Sequence, residues 1–443
     1  MSTTPQEYNA ITLRQKFPCL HLLRAFRLAL DLRRLFLGAV AVLVLTLGNW
    51  LIDQLPFAPG VEGDSSNVTS IPDGKTKENP WVWETRPPNP IRSNSLGLEK
   101  FFRQSTDWRH PILAPVHSLL TPVFRIVSLN SSLNDWAYGW TGFFWALFVG
   151  VIFGGAICRQ VAIEFATDRK ISLSETFGFI RKFFFSYFAS PLLPILGIGV
   201  FWLICFLAGL FGRIPGVGSL VIGSLYFIPL IFGILMTLLF AGFAIGYPLM
   251  VATISTEASD AFDGFSRSIN YLYSRTLYYA GLAVFTLALG TLSLWIVAVS
   301  ANWVTDMSAW GLKSGMGEHN TAALMEDSPV QYNSEIKNLK KDKENEEDTS
   351  VGAPMAGFWI SAFNLLLHGF VVSFFWTSAT IVYFLLRQSD DGTDLNEVFW
   401  EESEKTEKLF PVVEADEQRQ NLDDTVDADS DEEESNPSDE KST

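Results

Sequence analysis

The chain has 443 residues, of which 48% are hydrophobic, and its formal net charge is −16. The residues after Leu386 hold 21 Asp and Glu but only 5 Lys and Arg, which leaves 27 charges of each sign in the rest of the chain. A balanced body with an acidic tail excludes the basic surface by which proteins bind nucleic acids, so we predict no nucleic-acid partner.

Long apolar runs decide the class of protein. A hydrocarbon core about 30 Å thick requires about 20 apolar residues at a rise of 1.5 Å each. Four runs exceed that length without a single Asp, Glu, Lys or Arg: Phe183–Gly212, Pro215–Thr256, Thr276–Val304 and Thr349–Leu386. The sequence therefore predicts an all-α fold, a polytopic transmembrane bundle of about six helices with interfacial amphipathic helices and a disordered acidic tail.

The N-terminal part combines a basic segment with a first apolar run. Residues 1–34 are basic and amphipathic, and the apolar stretch that follows is longer than the core of a typical signal peptide. We therefore predict an uncleaved first transmembrane helix over 35–55. Residues 56–135 are rich in Pro, Ser and Asn and are predicted to form an extracytoplasmic loop, with a short interfacial element at 112–127.

Five further transmembrane helices are predicted, and together with their connections they define the remaining regions. Residues 136–304 form a core membrane module, 305–356 a disordered extracytoplasmic loop and 387–443 an acidic cytoplasmic tail. The start of that tail, Asp390–Glu402, is predicted to form a short amphipathic helix, and the remainder is either solvated or a docking site for a basic protein partner. The five helices are Trp136–Cys158, Tyr187–Phe211, Leu220–Tyr247, Leu277–Val304 and Gly357–Leu386.

The distribution of Lys and Arg predicts the orientation in the membrane. The N-terminus and the loops 159–182 and 257–275 are basic, so we expect both termini in the cytoplasm of a cell that carries this protein in its inner or plasma membrane. The uncharged stretch 215–256 leaves alternatives open. It could hold one helix plus a re-entrant piece broken near Pro248, or two full passes, which would reverse the orientation of everything that follows.

The two inner loops have a similar layout. Ser172-Leu-Ser-Glu175 has the spacing of a capping box, and Ala258, Ala261, Phe262, Phe265, Ile269 and Leu272 recur at helical spacing in the second loop. We predict two interfacial helices in a cytoplasmic collar. They are either ordinary connectors or a surface for lipid headgroups or a partner. The candidate collar residues are Glu257, Asp260, Arg267, Ser268, Glu175 and Arg181.

One stretch resembles a known group of proteins. Glu257-x-x-Asp-Ala-Phe-x-x-Phe-Ser-Arg-Ser268, after a helix that ends Tyr247-Pro-Leu, resembles a superfamily of uncharacterised bacterial integral membrane proteins. These are related to the membrane domain fused to some glycerophosphodiester phosphodiesterases. The resemblance covers about residues 140–300 and implies a six-helix membrane module without a known activity. The catalytic domain is absent, and the long loop at 56–135 and the acidic tail depart from the family pattern.

Few side chains in the sequence suggest chemistry. Cys19, Cys158 and Cys205 have no paired spacing, so neither a disulfide framework nor a zinc site is expected. Asn364 and His368, one turn apart in the last helix, are the candidate intramembrane polar site. We predict that the protein is not an enzyme and has no cofactor. The favoured function is a non-catalytic module that organises partners or lipids, and the alternative is a passive channel or permease for a small solute.

Overall fold

The computed structural model describes residues 18–58, 111–127, 132–317, 320, 321, 324 and 352–399. This part of the chain is helical and contains no strand, and six of its helices are long and apolar enough to cross a membrane. That is the architecture of a multi-pass membrane protein, as predicted. The acidic tail beyond Phe399 and most of both predicted extracytoplasmic loops lie outside the described residues.

The helices are numbered here in chain order. They are α1 (Leu23–Ala29), α2 (Leu32–Asp53), α3 (Ala114–Val127), α4 (Leu133–Val149), α5 (Gly155–Thr167), α6 (Leu173–Ala189), α7 (Leu192–Phe211), α8 (Val217–Ser224), α9 (Phe227–Glu257), α10 (Ala261–Ser274), α11 (Thr276–Met316) and α12 (Ala353–Asp391). Short 3-10 helices precede α1 (Pro18–Leu22) and α3 (Pro111–Leu113), and a π-helical turn (Gly150–Gly154) joins α4 to α5.

The first and last spanning helices cross at a pair of glycines. A Cβ atom on Gly38 of α2 would lie 2.2 Å from the carbonyl oxygen of Gly369 in α12, and one on Gly369 would lie 2.5 Å from the amide nitrogen of Ala39. Any larger residue at either position would collide with the backbone of the other helix, so these glycines permit the close approach.

The second spanning segment is longer than predicted. α4, the π-helical turn and α5 run without a break from Leu133 to Thr167, so the prediction that the helix ends at Cys158 was wrong. Arg159, which was taken as the first loop residue, is 4% exposed inside the helix because its guanidinium donates to the carbonyl of Ser255 and lies over the ring of Phe179. A charged residue with such partners does not require a helix to end.

The uncharged stretch 215–256 contains one long helix and one short one. The chain breaks between α8 and α9 at Leu225 and Tyr226, whereas Pro248 lies inside α9, so of the alternatives left open the one with a break near Pro248 was wrong. With eight residues, α8 is about 12 Å long and too short to cross a membrane. This stretch therefore supplies one of the six candidate spans.

The last two helices also exceed their predicted bounds. α11 continues to Met316, so the predicted disordered loop at 305–356 begins as helix. α12 runs from Ala353 to Asp391, beyond the predicted end at Leu386. The amphipathic helix predicted over Asp390–Glu402 is absent from its described part, because Asp390 and Asp391 belong to α12 and residues 392–399 are not helical.

α3 lies deeper in the bundle than the predicted interfacial element. Near its end, the guanidinium of Arg125 lies 4.9 Å from the ring centroid of Tyr138 in α4, whose hydroxyl donates to Asp53 at the end of α2. Before its start, Ile112 is 1% exposed and lies beside Phe374 of α12. The end of α3 therefore lies near the end of α2, and the residues before its start lie inside the bundle beside α12.

Burial is uneven along the spanning helices. The most apolar window of α12 is 83% buried, whereas those of α6–α7 and α9 are 6% and 11% buried. The densest packing lies where α5, the end of α9 and the second half of α12 meet. We call this end of the bundle the collar; it comprises residues 18–31, 155–189, 247–275 and 376–391.

Candidate functional site

Glu257, the last residue of α9, accepts hydrogen bonds from two other helices of the collar. One carboxylate oxygen lies 2.6 Å from a guanidinium nitrogen of Arg267 in α10. The other accepts from the hydroxyl of Tyr383 and lies 3.4 Å from Nε of Arg387, both in α12. The side chain of Glu257 is 13% exposed and that of Arg387 is 11% exposed, so this is a largely buried charge cluster.

The backbone after Glu257 explains why these groups meet. Ala258 ends α9 in the left-handed region with φ 55°, and Asp260 then caps α10 by accepting from the amide of Asp263 at 2.8 Å. The tight reversal places Arg267 back against the end of α9. Partial burial lowers the pKa of the Arg267 guanidinium, but the surrounding negative groups, led by Glu257, together outweigh this effect and raise it.

The end of α12 is fixed to α10 by a second set of polar contacts. Asp390 accepts from Asn270 at 3.2 Å and from Ser274 at 3.1 Å, and it lies 3.4 Å from Nε of Arg275. Asp391 accepts from the hydroxyl of Tyr271. Burial and this hydrogen bond raise the pKa of Tyr271 above its ordinary value.

A third set of contacts joins α5, α6 and α9. Arg159 donates to the carbonyl of Ser255 at 2.9 Å, and the hydroxyl of Tyr187 lies 2.8 Å from Oγ of the same serine. Ser268 of α10 donates to the carbonyl of Gly264 and lies 3.1 Å from the hydroxyl of Thr253. These polar side chains therefore bond to one another across helices.

The N-terminal segment is tied to the collar by ion pairs. Arg34 is 2% exposed and donates to Glu164 of α5, while Arg24 lies 3.1 Å from Asp168. Asp31 accepts from Lys170. Burial raises the pKa of Asp31, but the hydrogen bonds from Lys170 and from the amide of Arg33, with the charge of Arg34, lower it overall.

Four of the predicted collar residues come together and two do not. Glu257, Asp260, Arg267 and Ser268 lie within α10 and the turn before it. Glu175 instead completes the predicted capping box of α6, where its carboxylate accepts from the amide of Ser172 at 3.1 Å, and Arg181 is exposed on the outward face of α6.

The face by which α10 packs on the protein differs from the apolar face predicted to lie in the membrane interface, which stays a prediction. Of the six residues proposed for it, Leu272 is buried, but Phe262 is 64% exposed. The buried face consists of Gly264, Ser268, Tyr271 and Leu272. Small residues lie there because α10 packs closely on α9: a Cβ on Gly264 would lie 2.9 Å from Ile254.

Several collar residues were missed by sequence reasoning. Tyr383 and Arg387 were assigned to a lipid-spanning helix and its flank, and Glu164 was assigned to a loop. The signal available in the sequence was the uncharged run Thr349–Leu386: its 38 residues exceed the about 20 that the hydrocarbon needs, so residues near its end, such as Tyr383 and Arg387, can lie beyond the hydrocarbon.

Asn364 and His368 lie on α12 but their side chains do not form a pair. Asn364 is 3% exposed, and its amide nitrogen has no hydrogen-bond partner among the described residues. Nδ1 of His368 lies 2.9 Å from the backbone carbonyl oxygen of Asn364. Within the described residues, no group of three or more His, Cys, Asp and Glu side chains could hold a metal ion.

No protein-family model, curated protein or solved structure matches this chain.

Proposed function

We propose that this protein is a non-catalytic membrane module that holds partner proteins or lipids at its collar. The observation that carries the proposal is the use of Glu257: its carboxylate is occupied by Arg267, Tyr383 and Arg387 of the same chain. A general base or a metal ligand needs an oxygen that faces a substrate or an ion. The charges of the collar instead join its helices into one unit.

In this proposal the collar faces the cytoplasm of a cell whose inner or plasma membrane contains the six spans. The basic residues of α1, the α5–α6 link and α6 cluster at the collar end, as the preference of Lys and Arg for the cytoplasmic side requires. The resemblance of Glu257–Ser268 to membrane modules of bacterial proteins stays a prediction; it fits this placement, since the stretch forms the turn between α9 and α10.

Mass spectrometry of the protein gently extracted from its native membrane tests the proposal. We expect a specific protein or one lipid class bound in a fixed ratio, and bare protein with bulk lipid would contradict it. A truncation after Phe399 removes the acidic tail but keeps the contacts of Asp390 and Asp391 with α10. Loss of a protein partner in this variant assigns binding to the tail, and retention of the partner supports binding at the collar.

A passive channel for a small neutral solute is the alternative function. It is supported by Asn364 and Thr377, which are 3% and 0% exposed in α12 and each have a side-chain polar atom without a partner in the described part. Flux of glycerol or urea into proteoliposomes tests it. A channel predicts that His368→Leu abolishes the flux while Ser300→Leu, at an exposed serine of α11, leaves it intact. Equal flux in both variants would exclude this path.

A further inference from the structure

We propose that the outward face of α6 binds an anionic phospholipid, with Arg181 and Lys182 on the phosphate of the headgroup, Phe185 along the acyl chains and Phe177 beside the headgroup. The proposal rests on the function proposed above and names the lipid class. It assigns lipid binding to α6 and not to α9, α10 and α12, the three helices that the charge cluster of Glu257 joins.

The face is defined by helical spacing and by exposure. Phe177, Arg181 and Phe185 recur at intervals of four, with Gly178 and Lys182 each one residue further on, so all five lie on one side of α6. Phe185 is 83% exposed and Phe177 is 38% exposed, and the other three residues are exposed as well. The opposite side is buried against α5 through Phe179, Ile180 and Tyr187.

The position of this face along the chain fixes its level in the membrane. Arg181 and Lys182 are the last charges before the run Phe183–Gly212, which contains none and includes the whole of α7. The two cations therefore lie where the chain passes from headgroups into hydrocarbon. Phe185 already lies on the hydrocarbon side, so the face combines cations at headgroup depth with an aromatic ring at acyl depth.

Charge distinguishes α6 from α10, its counterpart in the second loop. Residues 257–275 contain three acidic and two basic residues, and both Arg267 and Arg275 lie in ion pairs with acidic residues of the chain. Residues 168–189 contain four basic and two acidic residues. The net charge is therefore −1 in the second loop and +2 in the first. α6 itself contains two basic residues and one acidic residue, so its net charge is positive and an anion complements it.

Gly178 leaves room for the ligand on this face. A Cβ atom built at Gly178 has nothing within 4 Å, and the residue precedes Arg181 and Lys182 by one turn. A headgroup can therefore approach the helix backbone between the two phenylalanines. A larger side chain at position 178 would therefore obstruct the headgroup without changing the charge of α6.

Native mass spectrometry of the full-length protein, titrated with phosphatidylglycerol or phosphatidylcholine of the same acyl chains, tests the proposal. We expect wild type to bind phosphatidylglycerol preferentially, and Arg181→Gln/Lys182→Gln to bind it about thirtyfold more weakly, since each cation near an anionic surface contributes about fivefold. Gly178→Leu is expected to weaken binding while all charges remain. Arg213→Gln, an exposed cation in the α7–α8 turn, is the matched control and is expected to bind like wild type.

Three results would overturn the proposal. They are an unchanged preference in Arg181→Gln/Lys182→Gln, equal binding of the two lipids by wild type, and full competition by millimolar inorganic phosphate, which would indicate a general anion site. Circular dichroism of each variant checks that it is folded. Glu257 and the acidic tail are unaltered in these variants, so a protein partner bound there can still be detected when lipid binding is lost. Failure of the lipid site can therefore be distinguished from failure of the proposed function.

Discussion

Arg387 of α12 lies 3.4 Å from the carboxylate of Glu257 at the end of α9, and both side chains are more than four-fifths buried. The two residues lie 130 positions apart in sequence, so the pair forms only when α12 has docked against α9. The same carboxylate also accepts from Tyr383 and Arg267. Three helices are thus fixed by one acidic side chain.

Glu257→Gln is expected to destabilise the protein strongly. Removing one partner of a buried ion pair costs about 3–5 kcal/mol. The other ion pair of Arg387, with Glu397 at 3.3 Å, offsets only part of this loss, because the side chain of Glu397 is 64% exposed. Thermal unfolding in detergent, followed by circular dichroism, measures the loss. Arg267→Gln is the matched control, because its side chain is 45% exposed and exposed pairs contribute about 0–1 kcal/mol. Equal losses of unfolding free energy in the two variants would show that burial of Arg387 does not determine how much Glu257 contributes to stability.

Gly369→Ala is expected to weaken the crossing of α2 and α12. The added Cβ would lie 2.5 Å from the amide nitrogen of Ala39, and overpacking of this kind costs about 1–3 kcal/mol. Gly281→Ala in α11, where a Cβ has nothing within 4 Å, is expected to be neutral or stabilising by up to about 1 kcal/mol. Melting temperatures of the two variants in the same detergent compare them directly, and a neutral Gly369→Ala would contradict the crossing.

Asp31→Asn is expected to change the pH dependence of stability. The pKa of Asp31 is lowered in the folded protein, so its carboxylate stabilises the fold above the ordinary value of 3.8, and this contribution disappears as the pH falls through the lowered pKa. Asparagine retains the cap of α2 but loses the ion pair with Lys170. Denaturation at several pH values should show a smaller loss on acidification in the variant. Identical profiles would mean that Asp31 does not contribute.

Local signals in the sequence predicted local structure well. The capping box of Ser172 and Glu175 forms as predicted, because it depends on four consecutive residues. The apolar runs also predicted the six candidate spans, since the thickness of a bilayer sets the length of a helix that crosses it.

Features that depend on distant contacts were not predictable in the same way. Arg159 marks a loop boundary when only its charge is considered, yet the carbonyl of Ser255 and the ring of Phe179 allow it to be buried. The face of α10 was predicted from hydrophobicity, but α9 selects small residues such as Gly264. In both cases the deciding partner lies in another helix, whose position the sequence does not specify.

The packing of α2 against α12 has a consequence for biosynthesis. α12 has the most buried apolar window of the candidate spans, and it leaves the ribosome after all of them. Until it inserts, Gly38 faces no partner and Glu257 has neither Tyr383 nor Arg387. The earlier helices therefore remain incompletely packed in the membrane until α12 inserts. A nascent chain arrested before residue 353 would expose the unpaired Glu257 and the surface around Gly38 to membrane quality control.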